Sequence, residues 1–317
     1  MRANPEIPAT ETCRYGKEAL ALARDVILNG CLVAVPTETV YGLAANAYDS
    51  DAVAGIYRAK GRPAFNPLIV HVDRLDMAQR LARFDDLALR LAASFWPGPL
   101  TLVLPVREDA GLSPLVTAGL PTVAIRMPAH RAMRTLIEAC GVPLAAPSAN
   151  RSGSISPTNA AHVLRSLDGR IPLILDDGGT QRGLESTIVA PAGDRLRLLR
   201  PGPVTATMLE AATGATVTTD NSGGIEAPGQ LESHYAPSKP VRLNATSARN
   251  DEYLIGFGRI GGDISLSETA DLDEAAANLF AALHIADASS RGTIAVAPVP
   301  SEGIGTAIND RLRRAAA

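Results

Sequence analysis

The stretch SDAVAGIYRAKGRPAFNPLIVHV, residues 50–72, decides the class of fold. Its first half, to Gly61, reads as a helix capped by Ser50 or Asp51; a Gly-Arg-Pro break follows, and PLIVHV (67–72) reads as a short strand. The same alternation extends on both sides. Upstream, KEALALARDVILN (17–29) carries Leu20, Ala23, Ile27 and Leu28 at helical spacing, Gly30 is a natural stop, and CLVAVP (31–36) reads as a strand. Downstream come a helix, DLALRLAASFW (86–96), ended by PGP, and two strands, LTLVLPV (100–106) and TVAIRMP (122–128). HRAMRTLIEAC (130–140) is again helical, and VPLAAPSAN (142–150) is a strand running into a loop. Helices interleaved with strands predict an α/β layer structure.

At 317 residues the chain exceeds the usual size of one core, so a large domain and a smaller one are expected. Composition changes after RLRLLRPGPVTATMLEAA: residues 212–240 are rich in Thr, Gly, Ser and Pro and have little periodicity. The expected division is a catalytic domain over 1–211, a linker or lid over 212–240 and a small domain over 241–317. In the last, EYLIGFG (252–258) and GTIAVAPVP (292–300) read as strands. DLDEAAANLFAALHIAD (271–287), with Leu272, Ala276, Leu279 and Leu283 on one face, and GTAINDRLRRAAA (305–317) read as helices, giving a βαβα unit.

A formal net charge of -3 argues against coating nucleic acid by bulk electrostatics, so any phosphate site must be local. Cys13, Cys31 and Cys140 are widely spaced without a CxxC pair, which indicates neither a disulfide framework nor a zinc site. The N-terminal stretch lacks an apolar signal region, and no window approaches a membrane span, so a reducing cytoplasm is the expected compartment and no membrane partner is expected.

Three loops concentrate polar chemistry. PTETVYGLAANA (36–47) crowds Thr37, Glu38, Thr39 and Tyr41 ahead of Gly42, which suits either a loop that hydrogen-bonds an amino acid or a capped turn with Thr37 as N-cap and Tyr41 packed by its ring. Arg58, Lys60 and Arg62 flank Gly61; cations favour a helix C-terminus, yet three around one glycine turn exceed that need and suit nucleotide phosphate. His71, by its position in LIVH, reads by default as a core or edge histidine. APSANRSGSISPTNAAHV (146–163) leads Ser148, Asn150, Arg151, Ser152, Ser154 and Ser156 into a helix N-terminus, an anion-binding arrangement of moderate specificity. RGLESTIV places Glu185, Ser186 and Thr187 at a strand entry, and LLRPGPVT places Arg200 at a strand end. GxxxxGK[ST], GxGxxG after a strand, HExxH and GxSxG do not occur, which disfavours P-loop kinases, nicotinamide dehydrogenases, zincins and α/β-hydrolases.

In this order PTETVYGL, KGRP with NPLIVHV, SAN, ESTIV and RPG resemble the YrdC-like family of threonylcarbamoyl-adenylate synthases, over roughly Lys17 to Glu210. HYAP (234–237) and the tail with EAAANLFAALHIAD and INDRLRR resemble its longer, two-domain form. The resemblance implies a twisted mixed sheet flanked by helices around an open cavity, followed by a small Rossmann-like domain. It implies a nucleotidyltransferase that makes threonylcarbamoyl-AMP and pyrophosphate from L-threonine, bicarbonate and ATP. Mg²⁺ would be carried with ATP, with no tightly bound cofactor and no protein metal site. Downstream transfer proteins would pass the threonylcarbamoyl group to the tRNA adenosine next to the anticodon.

By the same resemblance Thr39, His71, Arg126 and Ser186 would hold threonine, with Ala146 touching it through its backbone. Lys60, Arg62, Asn66, Thr122, Ser148, Asn150, Ser156 and Arg200 would line the ATP side. Lys60, Arg62 and Arg200 would neutralise phosphate charge, and Tyr235, with His234, would let the linker close over the pocket or else belong to an inert tether. Two other functions suit such a groove: a module that binds double-stranded RNA or tRNA without chemistry, and a carbamoyl-transfer enzyme.

Overall fold

A computed structural model describes residues 9–219, 226–228 and 235–317. In chain order the elements are β1 (Glu11–Arg14), α1 (Lys17–Leu28), β2 (Val33–Pro36), β3 (Tyr41–Asn46), α2 (Ser50–Lys60), β4 (Ile69–His71), α3 (Leu75–Leu81), α4 (Asp86–Phe95) and β5 (Leu100–Pro105). There follow α5 (Pro114–Thr117), β6 (Thr122–Arg126), α6 (Arg131–Cys140), β7 (Leu144–Ala145), α7 (Ala160–Leu167), β8 (Leu173–Asp176), β9 (Thr187–Ala192), β10 (Arg195–Arg200), α8 (Ala206–Thr213) and β11 (Thr216–Thr218). The second unit holds β12 (Val241–Arg242), β13 (Glu252–Gly256), β14 (Ile264–Ser265), α9 (Leu272–Ala288), β15 (Thr293–Val296) and α10 (Gly305–Ala315).

The first eleven strands form one mixed sheet in the order β1-β8-β2-β3-β7-β4-β6-β5-β9-β10-β11. Parallel pairs such as β4–β6 and β5–β9 alternate with antiparallel ones such as β2–β3 and β5–β6. This is the mixed α/β architecture expected from the sequence. Ile27, Ile56, Leu91 and Leu102 are wholly buried between helices and sheet. Leu28, assigned by spacing to the same helix face as Ile27, is instead 50% exposed, because it follows Ile27 by a further 100° of helix rotation.

Other local expectations need correction. The cap of α2 is Asp49, one residue before the expected Ser50 and two before Asp51: its carboxylate accepts from the backbone N–H groups of Asp51 and Ala52. Thr37 caps no helix; it closes the β2–β3 hairpin, and the residues after it form a strand, β3, that spacing did not reveal. YGLAAN is poor in β-branched side chains and buried on both faces, so neither propensity nor alternation marks it. Helix α8 runs through residue 211, and β11 pairs with β10, so the large sheet extends past the expected boundary at 211 to Thr218. Most of the rest of the 212–240 segment, His234 included, lies outside the described residues.

The small unit is a four-stranded parallel sheet, ordered β12-β15-β13-β14, with α9 packed on it and α10 packed against α9. The short β12 and β14 add to the two strands expected. Its core does not stop at the unit's edge: Val40, Ile155, Leu184 and Tyr235 pack into the same apolar cluster as Leu279, Phe280 and Leu283. At Gly183, whose φ is +68°, a Cβ would lie 2.3 Å from the Ala277 carbonyl oxygen, so only glycine lets α9 approach this closely.

His162 and His284 stack across this contact, with ring centroids 3.8 Å apart and planes inclined by 23°. His284 Nε2 lies 3.1 Å from the Ser156 carbonyl oxygen, so that nitrogen carries the proton. Burial lowers both pKa values from 6.5, to about 3 for His162 and about 4 for His284; His284 and Arg165 add to the effect on His162, and Arg165 adds to that on His284 against the Ser156 hydrogen bond and Asp287. The folded state thus binds fewer protons than the unfolded chain below about pH 6.5, and this contribution to stability is lost as pH falls toward 4. Replacing both rings in His162→Asn/His284→Asn flattens the dependence of urea midpoint on pH between 6.5 and 4; an unchanged slope would refute this account.

Candidate functional site

The inner end of the large sheet opens into a cleft of about 530 Å³, including its mouth. One wall grows from the β2–β3 hairpin. Thr37 Oγ1 donates to the Val40 carbonyl at 2.7 Å, so the 2.8 Å contact with Thr39 Oγ1 uses the Thr39 proton. Thr39, 0% exposed, then accepts from Arg126 Nη1 at 2.9 Å. Arg126 ends β6 and is held on two further sides, by the Gly98 carbonyl at 3.1 Å and by Glu38 Oε1 at 2.6 Å. Glu38 Oε2 also accepts from the Ala129 backbone N–H, so hairpin and strand end are clamped together.

His71 ends β4 in register with Arg126. Burial, with the Arg126 charge adding to it, lowers its pKa to about 3, so the ring is neutral. Its Nδ1 has no hydrogen-bond partner among the described residues, although the ring is 3% exposed and lines the cleft. The neutral ring thus forms part of the cleft wall close to the Ile69 and Leu144 backbone. Ala146, whose N–H donates to the Ile69 carbonyl, lies beside it.

The cleft is also lined by Arg62, Ser148, Ser186, Arg200 and Tyr235. Arg200 donates through Nε and Nη2 to the Ser186 carbonyl, at 3.0 and 2.9 Å, and through Nη2 to Ser186 Oγ at 3.1 Å. Gly202 permits this: a Cβ there would stand 2.5 Å from the Thr187 nitrogen, so the chain after Arg200 can lie flat on residues 185–187. Arg62 donates to the carbonyls of Asn66 and Pro67 at 3.2 and 2.8 Å. Burial brings Arg62 down to about 10, with Arg200 adding to the effect against Tyr57 and Tyr235; burial likewise lowers Arg200. Both remain cations at neutral pH. Among the described residues neither has a carboxylate within 4.0 Å, whereas Arg126 has Glu38. Among the described residues the cleft is therefore lined by two arginines without an ion pair, Arg62 and Arg200, and by one that is paired, Arg126 beside the Thr39 hydroxyl.

Comparison with known proteins decides the family. A family model described as telomere recombination (Sua5, YciO and YrdC) matches residues 25–202, and one described as threonylcarbamoyl-AMP synthase, C-terminal domain, matches residues 204–317. The chain belongs to this family. Threonylcarbamoyl-AMP synthase of Bacillus subtilis (strain 168) is 41% identical over 334 residues, covering 98% of this chain and 96% of the relative. The Pyrococcus abyssi synthase is 40% identical, covering 93% of each chain. A crystal structure of P. abyssi Sua5 complexed with L-threonine superposes with a TM-score of 0.87 at 39% identity, covering 96% of both chains.

Within this synthase-family cleft, Thr39, His71, Arg126, Ala146 and Ser186, the residues expected to hold threonine, line one continuous surface. On the ATP side, Arg62, Ser148, Arg200 and Tyr235 line it as well. Others stand behind the wall. Lys60 Nζ donates to the Ser148 carbonyl at 2.6 Å and to the Asn150 carbonyl at 2.5 Å, with Asn150 Oδ1 at 3.4 Å, so its donors are spent on the SAN loop. Burial, with the charge of Arg62 adding to it, lowers its pKa. Asn150 braces the same loop through Ser154, and Ser156 Oγ donates to Glu185 at 2.5 Å. Asn66, whose Oδ1 is buried without a partner, lies one layer back, and Thr122 sits at the end of β6 away from Arg126. Sequence reasoning noted Glu38 and Glu185 but gave them no role. A carboxylate inside a hydroxyl-rich turn, with an arginine in a later apolar strand, was the available signal.

Proposed function

We propose that the cleft makes threonylcarbamoyl-AMP and pyrophosphate from L-threonine, bicarbonate and ATP. The observation that carries this reading is the division of charge just described: Arg126 is ion-paired with Glu38 beside the buried hydroxyl of Thr39, while Arg62 and Arg200 line the same space and, among the described residues, form no ion pair, the nearby Glu185 being taken by Arg311. An amino acid with a hydroxyl side chain suits the first corner, and polyphosphate suits the second.

In this reading the threonine amine joins the carbon of bicarbonate, with loss of water, to give a carbamate. A carbamate oxygen attacks the α-phosphorus of ATP and pyrophosphate leaves. Neutral His71 can hydrogen-bond a polar group of threonine without adding charge. Arg62 and Arg200 stabilise negative charge on the phosphates, and Tyr235 helps close the space against water. Mg²⁺ enters as part of the nucleotide substrate, since the lining carboxylate Glu185 is engaged by Arg311, and Glu38, behind Thr39, by Arg126. The product would pass to proteins that modify tRNA. No helix among the described residues is long and apolar enough to cross a membrane.

The test is pyrophosphate release from ATP with bicarbonate and Mg²⁺, with and without L-threonine, and with serine as control. The expected result is release that requires threonine, with an adenylate carrying the added threonylcarbamoyl mass. Threonine-independent behaviour by folded protein, with strongly salt-dependent RNA binding, would overturn the reading.

A further inference from the structure

The wall that carries Glu185, Arg200 and Tyr235 is held from behind by one side chain of the last helix. Arg311 lies on α10 and is 0% exposed. Its Nε donates to Glu185 Oε2 at 2.8 Å, its Nη1 to Asp310 Oδ2 at 2.7 Å and its Nη2 to the Pro201 carbonyl at 3.0 Å. Its guanidinium carbon stands 5.2 Å from the centre of the Tyr235 ring. Glu185 and Tyr235 line the cleft, and Pro201 directly follows Arg200. One ion pair would suffice to join two domains. This guanidinium instead reaches three separate parts of one wall, with its donors fixed in a planar fork and its face toward the Tyr235 ring.

The charges indicate what the contact achieves. Burial by itself would raise the pKa of Glu185, but the charges of Arg311 and Arg200 and the Ser156 hydroxyl bring it below the ordinary value, so it is a carboxylate. Glu185 and Arg200 are both buried and both line the cleft, where an unmatched anion would draw the nearest cation toward itself. Arg311 supplies the match.

We propose that Arg311 is a positioning residue for the nucleotide side of the cleft: by engaging Glu185 and the Pro201 carbonyl it leaves the Arg200 charge directed at the ATP phosphates, making the second domain a working part of the catalytic site. This rests on the synthase reading above. Arg311 touches no substrate; it acts through Glu185 and Arg200.

The experiment uses the full chain and measures KM for ATP and for L-threonine, kcat and thermal midpoint. Arg311→Gln leaves Glu185 to compete for Arg200, and raises KM for ATP by about tenfold or more with KM for threonine nearly unchanged. Adding Glu185→Gln removes the competitor and returns KM for ATP most of the way to the parent value. A purely structural arginine would lower the thermal midpoint without moving KM for ATP selectively, and Glu185→Gln would not rescue it. Unchanged KM for ATP in folded Arg311→Gln, or equal rises for both substrates, overturns the proposal. Should Arg311→Gln fail to fold, Arg311→Lys carries the test: it keeps the charge but loses the fork, so a smaller rise confined to ATP supports the proposal, and none overturns it. A parent protein without threonine-dependent release would overturn the underlying reading itself, whereas an active parent with an unaffected variant overturns this inference alone.

Discussion

Arg200→Gln lowers threonine-dependent pyrophosphate release by about 100- to 1,000-fold, the range for loss of one preorganised donor at a developing charge. The folded protein survives this change. Arg200 is 4% exposed, yet its partners are the carbonyl and hydroxyl of Ser186 and the Pro228 carbonyl, with no carboxylate in ion-pair reach among the described residues. Removing it strands no buried anion, since Glu185 keeps Arg311 at 2.8 Å. A glutamine amide can still donate to the Ser186 carbonyl, so the loss of stability is about 1–2 kcal/mol, that of an imperfectly replaced hydrogen bond. Measuring kcat alongside a thermal melt separates the two effects. Near-normal turnover, or collapse of the fold, would remove Arg200 from the nucleotide side.

Arg126→Gln has the opposite character. Arg126 is as deeply buried as Arg200, but it is the cation that Glu38 faces at 2.6 Å, and Glu38 is itself 4% exposed. Removing one partner of a buried pair leaves the other charge uncompensated and costs about 3–5 kcal/mol. That is a large share of the roughly 5–15 kcal/mol by which a domain is stable. Glu38→Gln in the same chain relieves the stranded charge and recovers much of the urea midpoint. Activity does not recover, because the donor to Thr39 and the charge beside His71 are still missing. A single variant as stable as the parent would sink this account of the pair. Recovery of full activity in the double variant would take Arg126 out of the threonine corner.

These two arginines show where sequence reading reaches its limit. Both were picked out as site residues by their motifs, TVAIRMP and RPG, but the motifs do not say which is paired. Glu38 stands 88 positions before Arg126, and only the β2–β3 hairpin set against the end of β6 brings them together. Lys60 differs in another way. Gly61 in the left-handed region turns the chain after α2, and the lysine reaches the SAN loop instead of the open cleft.

By itself the sequence determined the α/β class, most helices, the apolar strands and the list of polar loops, because helix caps, glycine stops and 3.6-residue periodicity are interactions between neighbours along the chain. Tertiary structure alone decided that YGLAAN is a strand, that Lys60 and Ser156 stand behind the wall, and that Arg311 reaches Glu185 across 126 positions. The physical reason is that these outcomes depend on which charges and faces become buried together. Burial of that kind is fixed by the strand order of the whole sheet and by the docking of α9 and α10 on the loops beside it, and no local spacing records it.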